Sequence, residues 1–190
     1  MRNRSGEALS TTRMIALALF AACSRAAPPA APPPEAAVAA HFDLPVGPPD
    51  ATGYYDAQPF GRNEHLGSDW NGVGGGDTDL GDPVHATASG WVTSARDEGG
   101  GWGNVVRVGH ALPDGSQVES LYAHLDTISV SAGMLVDRGA LVGTIGTAHG
   151  QYLAHLHFEL RDRVGLPLGG GYSVDTTGYL NPTRFVREHR

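Results

Sequence analysis

His155-Leu156-His157-Phe158-Glu159-Leu160-Arg161 alternates polar and apolar side chains without a break. A period of two is the pattern of a half-buried β-strand, in which successive side chains point to opposite faces. Leu156, Phe158 and Leu160 take the core face, and both histidines are thereby forced onto the other. Upstream, Ser120-Leu121-Tyr122-Ala123-His124-Leu125 has the same rhythm. It predicts Leu121, Ala123 and Leu125 on the core side, with Ser120, Tyr122 and His124 on the wet side. Slipping either strand by one residue would bury imidazoles and expose leucines, so the hydrophobic pattern sets the register.

The rest of the chain agrees with a fold class of all-β. Glycine supplies 27 of 190 residues, about twice the ordinary share. The glycines fall between short β-branched or aromatic runs such as those at 90–93, 104–108 and 140–145, the signature of short strands joined by many turns. Outside the extreme N-terminus, the one helical suggestion is a turn running from Pro182 through Val186. Setting aside the first forty residues leaves 150, an expectation of one self-sufficient core at 41–190 and no second binding module.

His65-Leu66-Gly67-Ser68-Asp69 stands about ninety residues ahead of His155-Leu156-His157. Together they offer two imidazoles and a carboxylate for one divalent metal, with a fourth tetrahedral position open. An open position separates a catalytic zinc site from a structural one. Each piece alone is ordinary, because nine histidines and twenty acidic residues make a single His-x-x-x-Asp pair an accident. A lone His124 reads as a strand histidine bonded to a neighbour. The combination, with polar faces aligned, points to a metal-dependent hydrolase, and the donor set suits zinc better than calcium or magnesium.

The stretches HLGSDW (65–70), GDPVHATASGWV (81–92), GGGWGNVVRVGH (99–110), SLYAHL (120–125), VSAGMLVDRGALVGTIG (130–146), HLHFELR (155–161) and the late Asn181-Pro182 resemble, in order, the lysostaphin/LytM-type zinc metallopeptidases. The resemblance covers roughly residues 60 to 186. It implies a compact antiparallel β-sheet sandwich with a groove across one sheet and one Zn2+ held by His65, Asp69 and His157. It also implies that His124 and His155 are catalytic without being ligands, and that the activity is endopeptidase cleavage of bacterial cell-wall peptidoglycan, in a stem peptide or a cross-bridge. Zinc lowers the pKa of water bound to it to about 7. Imidazoles, with an unperturbed pKa near 6.5, suit the remaining tasks of moving a proton and stabilising an oxyanion. The sequence does not divide those tasks between His124 and His155. Two rival functions stand beside this one. An envelope regulator that activates another wall hydrolase without catalysis typically lacks metal ligands, and none is missing here. A secreted peptidase acting on glycine-rich proteins is separated from the wall enzyme by nothing local.

Other residues near these motifs have simpler readings. Glu159 shares the histidine face, where a solvated or cross-strand-paired glutamate is favoured over one that orients a ligand imidazole. Tyr122 either hydrogen-bonds in the cleft or covers the strand surface. Trp102 either floors a groove or packs as a loop aromatic. The connection 70–80, with three consecutive glycines, is long for the family and is expected to shape one groove wall. Within it, Asp77 and Asp79 read as turn caps in preference to calcium ligands, since no twelve-residue loop ending in a bidentate Glu is present.

At the N-terminus, Arg2, Arg4 and Arg13 precede the apolar run from Met14 to Ala22. The run is too short to span a bilayer and has the layout of an export signal over residues 1–22. It ends in Phe20-Ala21-Ala22-Cys23, which resembles a lipoprotein processing box. Cys23 is the only cysteine of the chain, and lipidation accounts for an unpaired thiol in an exported protein. Ordinary signal cleavage, leaving a soluble secreted protein, is the alternative. Residues 24–40, rich in Pro and Ala, read as a semi-rigid spacer. The net charge of −7 becomes −9 once a leader carrying three arginines and one glutamate is removed. Such a surface does not favour nucleic acid or anionic lipid, and no nucleic-acid partner is expected. The membrane is then reached only through a lipid anchor at Cys23, on the periplasmic face or the cell surface.

Overall fold

β10 (Leu156–Arg161) is an interior strand of the large sheet, paired antiparallel with β2 (Ser68–Gly72) on one side and β6 (Gln117–Leu125) on the other. The computed structural model describes residue 33 and residues 36–190. The expected leader 1–22, the candidate lipidation site Cys23 and most of the 24–40 spacer lie outside them. The large sheet runs in the order β1 (Tyr54–Gln58), β2, β10, β6, β5 (Asn104–Ala111), β4 (Gly90–Asp97), β8 (Leu135–Val136), with β11 (Tyr179–Leu180) added beside β10. A smaller sheet orders β3 (Pro83–His85), β9 (Leu141–Thr144) and β7 (Thr127–Ile128). Every ladder of both sheets is antiparallel, as the sequence class predicts.

Leu156, Phe158 and Leu160 enter the main core as their alternation requires. They meet Trp70, Val106 and Val108 of the large sheet and Val84, Val142 and Ile145 from the small sheet and its edge. The C-terminal helix α1 (Pro182–Glu188) closes this layer with Val186. Its start is written in the sequence: Pro182 occupies the first turn, where its missing N–H costs nothing, and Asn181 accepts a bond from the Arg184 N–H.

Packing begins ahead of residue 41. Val38 bridges to Ala111, Ala39 is buried, and the Phe42 ring stands edge-on to His110, Phe185 and His189. The chain therefore joins the fold at the Ala111 end of β5, whereas Asn104 at the other end of that strand bonds the carbonyls of Leu125 and Asp126 next to His124.

β6 departs from simple alternation. Tyr122 is fully buried in the main core, where it pairs across the sheet with Val106 and receives the Thr87 N–H. Leu121 and Ala123 face the other way, in a small cluster with Val105 that Trp102 and Leu168 cover. Tyr122 is thus neither a cleft residue nor a surface cap. His124 would follow Tyr122 into the core but for a register shift between β5 and β6 and a left-handed backbone at His124, φ 62°. This β-bulge turns His124 to the groove side and returns Leu125 to the core. A non-glycine residue held there costs of order 1–2 kcal/mol, a strain that recurs where side-chain aim matters.

Candidate metal centre

His65, Asp69 and His157 converge although they come from two stretches of chain about ninety residues apart. Asp69 and His157 sit opposite one another in the β2–β10 ladder, and His65 leads into β2 from a short 3-10 turn, Arg62–Glu64. Asp69 Oδ1 lies 2.9 Å from His157 Nδ1 and 3.3 Å from His65 Nε2, and the two nitrogens are 3.0 Å apart. Among the described residues these are the only three His, Cys, Asp or Glu side chains whose donor atoms close on one another in this way.

The outer nitrogens decide what the inner ones carry. His65 Nδ1 is 2.9 Å from the Gln58 carbonyl oxygen, which only accepts, so the proton of a neutral His65 sits on Nδ1. His157 Nε2 is 3.0 Å from Glu159 Oε1; burial would raise the pKa of that carboxyl, but the bonds and charges of His157 and Arg161 hold it below its ordinary value, so it accepts and His157 donates from Nε2. With both outer nitrogens committed, His65 Nε2, His157 Nδ1 and Asp69 Oδ1 are the three atoms left to offer lone pairs to a cation. Donors about 2.0–2.1 Å from a tetrahedral zinc stand about 3.3 Å from each other, close to the spacings found, so the residues fit such an ion. Without a cation the cluster answers by holding a proton. Burial alone would lower the His157 pKa, but the Asp69 and Glu159 carboxylates flanking the ring raise it to about 9. Asp69, which burial would raise, is held well below the carboxylate range by His157 and His65.

His124 and His155 stand beside the cluster, with ring centroids 4.8 Å apart and His124 5.4 Å from His157. Both are fixed by carbonyls: His155 Nδ1 is 2.8 Å from the Leu153 oxygen, and His124 Nδ1 is 3.3 Å from that of Trp102. Each neutral ring therefore donates from Nδ1 and keeps Nε2 bare. His155 Nε2 is 4.0 Å from Asp69 Oδ1. Burial, helped by the neighbouring His157 and His155, pushes the His124 pKa down to about 3. His124 is thus a neutral imidazole at physiological pH.

These side chains line a cleft of about 360 Å³ bordered by Gln58, Gly101, Trp102, Tyr152 and the segment Gly170-Gly171-Tyr172. Trp102 both lines the cleft and packs on Val105 and Ala123. The 70–80 connection, expected to shape a groove wall, contributes no residue to this cleft. It lies behind residue 154, where Asp77 accepts the Ala154 N–H, while Asp79 caps the Gly72 N–H. Asp79 thus ties its own turn back to β2, as a cap does, whereas Asp77 reaches across the fold to a residue far along the chain. Glu159 is not solvated; it is fully buried between His157 and Arg161.

Two contributors escape a sequence reading. Tyr172 packs its ring 5.1 Å from His65 and bonds Gln58, yet it follows a glycine-rich loop with no strand pattern. Gly67, between the two HLGSD donors, is where any Cβ would stand 2.9 Å from His157 Cε1. The motif contains that glycine, but only the fold supplies its reason.

Residues 65–175 match the family model described as peptidase family M23. The chain is 34% identical over 100 residues to lipoprotein NlpD of Yersinia enterocolitica, covering 53% of this chain and 91% of that protein. It is 37% identical over 81 residues to cell division protein DipM of Caulobacter vibrioides, covering 43% of this chain and 13% of DipM. Among solved structures, the antimicrobial peptidase lysostaphin from Staphylococcus simulans superposes with a TM-score of 0.55 at 23% identity, over 80% of this chain and 55% of its own. A zinc containing peptidase from Vibrio cholerae gives 0.51 at 27% identity, over 67% of this chain and 39% of its own. The chain thus spans about half of that lysostaphin chain and less of the Vibrio cholerae one.

Proposed function

The chain belongs to peptidase family M23, of the lysostaphin/LytM type, and on that premise we propose that it is a zinc-dependent metalloendopeptidase of bacterial cell-wall peptidoglycan, hydrolysing a stem-peptide or cross-bridge bond. The observation that carries the reading is the convergence of His65 Nε2, His157 Nδ1 and Asp69 Oδ1 to within 2.9–3.3 Å of one another. His65, Asp69 and His157 would hold the ion, and the zinc in the Vibrio cholerae relative supports that choice. When bound, zinc supplies Lewis acidity, polarising a peptide carbonyl and acidifying water near neutral pH.

The chain's own residues do the rest. His124 and His155, each with Nδ1 committed to a carbonyl, accept a proton on Nε2 at the cleft and return it to the leaving amine. Their Nδ1–H bonds to Trp102 and Leu153 fix which nitrogen does so. Trp102 and Tyr172 border the cleft and limit water around the reacting peptide. An envelope location, with a lipid anchor at Cys23 as its means, is supported by the likeness to a lipoprotein and a cell division protein. The complete ligand set favours this enzyme over a non-catalytic regulator. Zinc content of the purified protein, together with mass analysis of fragments released from intact sacculi, tests the reading. Stoichiometric zinc and muropeptides cut in their peptides are expected; a metal-free protein that releases nothing overturns it.

A further inference from the structure

Residues 162–172 cross the polar face of the large sheet and end in the cleft-lining segment Gly170-Gly171-Tyr172. Two buried arginine–glutamate pairs hold this loop down. Arg107, paired with Glu119, donates to the Leu166 carbonyl at 2.6 Å. Arg161, paired with Glu159 at 2.7 Å, donates to the carbonyls of Pro167 at 3.2 Å and Leu168 at 2.9 Å. Glu119, Glu159 and Arg161 are fully buried. The pairs differ in one respect. Glu119 turns its second oxygen to Thr93, whereas Glu159 turns its second oxygen to His157 Nε2.

We infer that Arg161 is a positioning residue, which through Glu159 ties the groove-wall loop to the ring orientation of His157. The inference rests on the zinc reading above for its functional meaning, but its geometry is independent of it. A carboxylate free to rotate cannot hold an imidazole; Glu159 is locked because the guanidinium fork takes Oε2 with both Nε and Nη2 while its other hydrogens are spent on the loop. Partners of this kind beyond the ligands themselves are worth about 10–100-fold in metal affinity. Coupling is reciprocal, so an ion on His157 must also steady the loop. Arg107 offers an internal control, since it pins the same loop through a carboxylate that touches no ligand.

The test compares Arg161→Lys with Arg107→Lys in the full chain. Lysine keeps the charge but not the fork. Zinc affinity, measured by competition with a chromophoric chelator, is expected to fall about tenfold in Arg161→Lys and to stay unchanged in Arg107→Lys. Amide exchange around Leu166 to Leu168 is expected to quicken in both. Glu159→Gln should weaken zinc as well, and adding Arg161→Lys to it should weaken zinc no further. If Arg161→Lys does not fold, the neutral pair Glu159→Gln/Arg161→Gln, which strands no charge, takes its place in the comparison. Equal zinc affinities for the two lysine variants, or additive losses, overturn the inference. The imidazole Nε2–H resonance of His157 gives a metal-free reading: it should lose protection in Arg161→Lys alone. A wild type that takes up no zinc but shows that difference refutes the metallopeptidase and leaves the relay standing; no difference refutes the relay itself.

Discussion

Replacing Gly67 by alanine is expected to damage the metal centre while sparing the fold. The backbone of Gly67 lies outside the left-handed region, so alanine meets no conformational barrier and the whole effect is steric. Its Cβ would stand 2.7 Å from the Phe158 carbonyl oxygen, 2.9 Å from His157 Cε1 and 3.1 Å from Glu159 Cγ. Ordinary carbon contacts run about 3.5–4.0 Å. The oxygen belongs to the central strand β10 and has little freedom, so the imidazole must yield by roughly half an ångström or more. Overpacking of this kind costs about 1–3 kcal/mol, a fall of several degrees in the melting point of the metal-free protein. Zinc affinity should drop about tenfold or more, because His157 moves away from both Asp69 and Glu159. Calorimetry in excess chelator reads the first effect and a competitive zinc titration the second. An alanine variant that binds zinc as the parent does would show that the ring is not held where Gly67 allows.

His65→Ala and His157→Ala should lose zinc and cleavage together, whereas His124→Ala should keep stoichiometric zinc while turnover falls about 10²–10⁴-fold; metal analysis beside a peptide-cleavage assay separates the two outcomes. His110, fully buried between the Ser89 carbonyl and the Ser120 hydroxyl, has its pKa pushed down by burial from 6.5 to about 4. Below pH 6.5 only the unfolded chain takes up that proton, so His110's contribution to stability is intact above 6.5 and fades as pH falls toward 4. The loss is bounded at about 3 kcal/mol. Urea midpoints at pH 7 and pH 4.5 should therefore converge in His110→Gln relative to wild type, and an unchanged gap would exonerate His110. Asn181→Ala removes the acceptor for the Arg184 N–H and should cost about 1 kcal/mol, visible as faster amide exchange in the first turn of α1.

The central strand was readable because one face of HLHFELR is purely apolar, and the helix because Asn181 and Pro182 spell a start. β6 was not. Alternation assumes one wet face, but β6 is buried on both, by the main core on Tyr122 and by the 162–172 loop over Leu121 and Ala123. His124 faces the cleft as the pattern said, yet through a bulge that the pattern cannot encode. Glu159 looked like a surface residue for the same reason: a polar face is assumed to be wet, and this one is covered by chain whose carbonyls satisfy Arg161. Nearness in sequence to Asp69 points the 70–80 connection at the groove, whereas its first three residues continue β2 and the rest turns beyond that strand's far end.

Where the chain joins the sheet also sets the attitude of the working end. Anything tied on ahead of Val38 pulls at Ala111, and seven strand steps, about 23 Å, separate that point from Asn104 beside His124. The Phe42, Phe185 and His189 rings cluster at the Ala111 end of β5, and His124 lies at the opposite end. Were the chain held by the anchor proposed at Cys23, the cleft would lie at the end of β5 away from the point where the described chain enters the sheet.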